Sequence, residues 1–160
     1  MKRLFTIVTV VVLSLAASGL LLAQSNPTVG TWKLNLAKSK YNPGPPPKSL
    51  TWTVEAQGAG AKVTYQGVAG DGSPIAYGYT VNYDGKDYPM TGSGTPNGAD
   101  TIAVKRIDSN TFEETSKKAA KVVLTTRTVV SKDGKTTIMT SRGTDTNGLP
   151  MDRVIVWDKQ

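Results

Sequence analysis

Turn dipeptides at Asp71-Gly72, Asp84-Gly85, Asn97-Gly98, Asp133-Gly134 and Asn147-Gly148 divide a chain whose other segments are short and rich in Val, Ile, Thr and Tyr. Each supplies residues that tolerate a positive φ, which a tight two-residue hairpin demands. Between the turns, apolar and polar side chains alternate with the period of two that belongs to strands. This pattern predicts strands near 29–36, 49–56, 61–68, 75–83, 86–91, 100–107, 111–117, 121–131, 134–142 and 151–158. Strands that follow one another through tight turns form a meander. The expected fold is therefore all-β: a single antiparallel up-and-down β-barrel of about 8–10 strands.

Alternation also assigns faces. Leu50, Trp52 and Val54 share one side of their strand, as do Tyr77, Tyr79, Val81 and Tyr83, while Thr51, Thr53, Thr80 and Asn82 take the other. The apolar sides are expected inside. Near the carboxyl end Val154 and Val156 oppose Ile155 and Trp157, so both faces are apolar and the strand lies centrally or closes the barrel against the first. The segment NTFEETSKKAAKVV carries two signals. Thr111 and Glu114 stand at capping-box spacing, and Glu113/Lys117 and Glu114/Lys118 are favourable helical pairs. Phe112 is followed by no large apolar residue until Val122, so a helix there would lack an apolar stripe. A hairpin turning at Lys118-Ala119-Ala120 is the reading adopted.

Lys2 and Arg3 precede an apolar run from Leu4 to Ala23, the pattern of a secretory signal peptide cleaved after Ala23. An uncleaved anchor is the competing reading, since the run is nearly long enough to span a bilayer. Cleavage leaves residues 24–160 as one domain, periplasmic or secreted, with no stable membrane span. A chain of that length supports one core. It has no cysteine, so packing must replace disulfides even in an oxidising compartment.

Histidine is absent as well. With both gone, the usual general bases, thiol nucleophiles and zinc ligands are missing. No phosphate-cradling glycine loop, calcium loop or nucleophile elbow is present. Glu113 and Glu114, as neighbours on a strand, point to opposite faces and cannot share one acid/base site. A non-catalytic protein without cofactor or metal is expected. The formal charge of +7 becomes +5 without Lys2 and Arg3, and the lysines are scattered among turns. That describes a solvated surface, not a nucleic-acid face.

Gly30-Thr31-Trp32-Lys33-Leu34 at the start of the domain and Val156-Trp157-Asp158-Lys159 at its end, with the strand count, resemble the calycin superfamily. In particular the chain looks like a small secreted bacterial lipocalin-like protein, similar to lipocalin and fatty-acid-binding-protein barrels. The resemblance implies a barrel that binds a small hydrophobic or amphipathic ligand. An indole at the start of the first strand would plug one end, burying on the order of 200 Å², with Gly30 letting the chain turn in beneath it. Arg153 is the expected cation across that ring.

Two departures narrow what the resemblance implies. The connection from Ala37 to Ser49 carries Pro43, Pro45, Pro46 and Pro47, so it is extended and cannot be a helix-turn-helix lid. The carboxylate-binding Arg-x-Tyr of fatty-acid carriers falls at Ile155-x-Trp157. An anionic head group must then be held elsewhere. The candidates are Arg106, at the end of the Ile102, Val104 row, and Arg127, within the Val123, Thr125, Val129 row. Tyr65, Tyr77 and Tyr79 would line the pocket and orient an amphipathic ligand. The rival reading is a filled barrel that acts through its surface on a protein partner, as an inhibitor or assembly factor in the cell envelope. A carrier needs a cavity of roughly 300–1,000 Å³.

Overall fold

The computed structural model describes residues 25–160, and the expected signal peptide, 1–23, lies outside them. The described residues form β1 (Gly30–Leu34), β2 (Lys40–Asn42), β3 (Ser49–Gln57), β4 (Gly60–Val68), β5 (Pro74–Val81), β6 (Asp84–Pro89), β7 (Thr91–Ser93), β8 (Thr101–Arg106), β9 (Thr111–Lys118), β10 (Lys121–Val130), β11 (Thr136–Thr144) and β12 (Pro150–Lys159), with 3-10 turns at Leu36–Lys38 and Pro96–Gly98. All pair antiparallel, in the order β6-β8-β9-β10-β11-β12-β1-β3-β4-β5-β7, with β2 also on β12. The first strand pairs with the last, and the sheet's two ends, β6 and β7, are joined through Met90. This is the nearly closed up-and-down barrel that the lipocalin-like resemblance implies.

The count is twelve strands, above the 8–10 expected, because two short strands were not legible. Lys40–Asn42, expected within a linker, pairs with Asp152, Arg153 and Val154 of β12. Thr91–Ser93 separates from β6 and pairs with β5 instead. The two apolar faces of β12 follow from this arrangement. Ile155 and Trp157 face inward, while the segment after β1 bonds the backbone of Val156 between them, Asn35 N–H donating to the Val156 carbonyl and Val156 N–H to Ser39 Oγ.

The segment 111–121 is the expected hairpin. Its turn places Ala119 and Ala120 at φ 48° and 65°, and Asp100 Oδ2 accepts the Ala119 N–H at 2.8 Å. Alanine is strained there.

The core is built on one aromatic row. Trp32, Trp52, Tyr65 and Tyr77 are register partners across β1, β3, β4 and β5. Their rings stack at centroid separations of 5.6, 6.2 and 4.7 Å, and Trp157 packs 5.7 Å from Trp52. Trp32 is fully buried and donates its indole N–H to the Thr28 carbonyl at 2.7 Å. The cation across it is Lys159, 5.0 Å from the ring centroid; Arg153, expected there, lies over Tyr41 instead. Gly30 permits this: at its φ of 131°, an added Cβ would stand 2.8 Å from Lys159 Cε. Offset stacks of this kind contribute about 0.5–1.5 kcal/mol per pair beyond the area they bury.

Candidate ligand-binding site

The aromatic row runs across the barrel on β1, β3, β4 and β5. Beyond it, towards the end where β3, β5, β8 and β12 begin, a partly open cavity of about 140 Å³ remains. Tyr65, Tyr77 and Tyr79 form one wall with Leu50 and Ile75, and Met90, Ile102, Leu124, Met139, Ile155 and Trp157 extend the apolar lining. Strand parity delivers these side chains, because inward positions recur every second residue along each strand. The volume falls below the carrier range and is comparable to a cavity of about 150 Å³ that accepts a benzene-sized guest.

The opposite wall is polar. Arg153, Ser141, Thr126 and Glu114 are register partners across β12, β11, β10 and β9, and all four line the cavity. Thr126 Oγ1 and Ser141 Oγ share a buried hydrogen bond of 2.8 Å. At one end of the row, Thr128 Oγ1 donates to Glu114 Oε1 at 2.8 Å. Burial pushes the Glu114 carboxyl up from 4.5 to about 7, against the lowering effect of Thr128. Burial likewise raises Tyr77 and Tyr79, and the nearby Glu114 charge is the next cause for each. Glu114 also borders a second void of about 20 Å³ with Thr28, Tyr83 and Thr128.

At the other end of the row, Arg153 Nε and Tyr41 Oη are buried without a hydrogen-bond partner among the described residues. The guanidinium lies 5.7 Å from the Tyr41 ring centroid. Burial lowers the Arg153 pKa and raises that of Tyr41 to about 12, Arg153 opposing the latter shift. The proline segment borders the cavity beside them. Pro47 lines it, and the strap rests on Gly70, where a Cβ would meet Pro45 Cγ at 2.6 Å and the Pro46 carbonyl at 2.8 Å.

The two arginines expected as anchors are elsewhere. Arg106 does continue the Ile102, Val104 row, but that row runs away from the cavity. At its far end the guanidinium bonds the carbonyls of Ser25, Asp108 and Ser109 and lies 5.6 Å from the Phe112 centroid. Arg127 is outside the barrel, paired with Glu113 at 3.2 Å. The inward face of β10 is Leu124, Thr126, Thr128 and Val130, the reverse of the expected parity. Threonine is tolerated inside because Ser141 and Glu114 complete its hydrogen bonds. Tyr65, Tyr77 and Tyr79 do come together at the cavity.

Glu114 and Arg153 were the residues missed. The opposite-face argument for Glu113 and Glu114 holds, and it leaves Glu114 as the sole carboxylate among the described lining residues. The signal available was the central position of β9, whose two neighbours force one member of any adjacent acidic pair inward.

No family model matches the chain, and no curated protein matches it. Among solved structures it is similar to a redesigned β-barrel, mFAP1, bound to DFHBI, at 12% identity and a TM-score of 0.46 over 86% of this chain and 97% of that one. It is also similar to zebrafish ileal bile acid-binding protein complexed with cholic acid, at 13% identity and a TM-score of 0.48 over 84% and 99% of the two chains. Neither likeness bears on what this chain binds.

Proposed function

We propose that this protein binds a small amphipathic molecule, about one ring in size, inside the barrel beside the proline strap. The observation that carries the reading is the pair of buried, partnerless polar atoms, Arg153 Nε and Tyr41 Oη, on residues lining an otherwise largely apolar cavity. Buried donors normally have partners, and a ligand acceptor would supply one here. The reading is one of binding: Glu114 has no second carboxylate beside it in the described cavity lining with which to form a paired-carboxylate site. Binding takes place after export to the periplasm or beyond, through the leader read at 1–23. Of the exposed large hydrophobics, Leu36, Val122 and Leu149 lie on separate elements, while Val129 and Ile138 pair across the outer face of β10 and β11.

The test is titration of the domain with 4-methylbenzoate, followed by amide chemical shifts and tryptophan fluorescence. One-to-one saturation is expected, with shifts on β5, β9 and β12, and Arg153→Met should weaken binding at least tenfold. Shifts confined to outward residues, or none at any concentration, would refute it.

A further inference from the structure

Glu114 is not explained by a cavity that merely receives an apolar ring. The groups that face its carboxyl are Tyr65 from β4, Tyr77 and Tyr79 from β5, Tyr83 beyond β5 and Thr128 from β10. All are neutral near pH 7. Among the described residues it has no ion pair, unlike Glu113 one position earlier. A carboxylate held inside a barrel without a cation is costly, and a guest that only excludes water raises that cost.

The surroundings suit one kind of partner. Tyr77 and Tyr79 offer aromatic surface beside the acid, Tyr65 being stacked between Trp52 and Tyr77, and aromatic faces with a carboxylate are what an organic ammonium group binds well. An anionic end group there would meet the Glu114 charge. The opposite holds at Arg153, which calls for an acceptor. Three strand steps separate the two residues, about 14 Å along the wall, and both side chains reach inward from those positions, shortening the span a ligand must bridge.

Resting on the cavity-binding reading above, we propose that the Glu114 end of the cavity is an ammonium site. The ligand is a small amine, seated with its nitrogen at Glu114 against the tyrosine wall and its acceptor end, a carboxylate or carbonyl, at Arg153. Binding is linked to ionisation of Glu114, so affinity rises with pH.

The probes are 4-(aminomethyl)benzoate and 4-methylbenzoate, which differ only in the amine, titrated calorimetrically into the wild-type domain and Glu114→Gln. At pH 8 the amine is expected to bind at least tenfold tighter than its methyl analogue. Glu114→Gln should bring the two within threefold of each other. In the wild type the preference should shrink about tenfold per unit below pH 7, because the carboxyl titrates at about 7; this profile stands even if the variant folds poorly. Equal affinities at pH 8, or a preference independent of pH, would overturn the ammonium site and leave the cavity reading intact. If neither compound saturates the wild type, both readings fall.

Discussion

Replacing Glu114 by glutamine tests the buried carboxyl without any ligand. In the unfolded chain the group titrates near 4.5 and in the barrel near 7. Between those values the folded state holds the proton and the unfolded state has lost it, so stability falls as pH rises through that window and is level above it. The shift corresponds to about 3 kcal/mol at one pKa unit per 1.36 kcal/mol, reduced to the extent that cavity water reaches the carboxyl. Glutamine keeps the acceptor for Thr128 and never ionises. Glu114→Gln should thus match the wild type at pH 4.5 and exceed it at pH 8 by about 2–3 kcal/mol. Asp71, Asp84, Asp108 and Asp133 are lowered by hydrogen bonds, chiefly from Ser73 Oγ, Lys86 N–H, Asn110 N–H and Ser131 Oγ respectively. Their contribution runs the other way, being lost as pH falls, but both proteins share it and the difference cancels. Urea unfolding read by the buried tryptophans Trp32, Trp52 and Trp157 provides the assay. A variant no more stable than the wild type at pH 8, or one shifted equally at both pH values, would refute the reasoning.

Trp32→Ala removes the fully buried start of the aromatic row and should cost about 3–5 kcal/mol in the same urea experiment. Ala120→Gly relieves a non-glycine residue at φ 65° and should add about 0.5–1 kcal/mol, visible as a higher denaturation midpoint without a change in slope. Gly70→Ala pushes on the Pro45 ring and the Pro46 carbonyl, so the strap must shift. Stopped-flow fluorescence should then show faster association and dissociation of 4-methylbenzoate. Arg127→Gln breaks only an exposed pair with Glu113; it should change stability by less than about 1 kcal/mol and leave probe affinity unaltered.

Turn chemistry and alternation are local properties, and they were enough to read an antiparallel meander, the inward set Trp52, Val54, Tyr77, Tyr79 and Val81, and the 111–121 hairpin. The short strands escaped because neither Lys40–Asn42 nor Thr91–Ser93 is long enough to show a period; each is extended only because a partner edge lies beside it. Parity failed on β10 for a related reason. Val123, Thr125 and Val129 look as apolar as Leu124, Thr126 and Val130, and Arg127 against Thr128 is the one local difference that marks the outer face.

From the sequence alone came the class of fold, the burial of its tryptophans and the absence of histidine and cysteine chemistry, because each follows from residue type or from spacing along the chain. Closure of the barrel decided the rest. It set Arg153, Ser141, Thr126 and Glu114 in one row opposite three tyrosines. It also sent Arg106 and Arg127 elsewhere and drew the proline segment to the edge of the cavity. Such neighbours are joined by register between strands distant in sequence, and a register becomes definite only when every strand has found its partner.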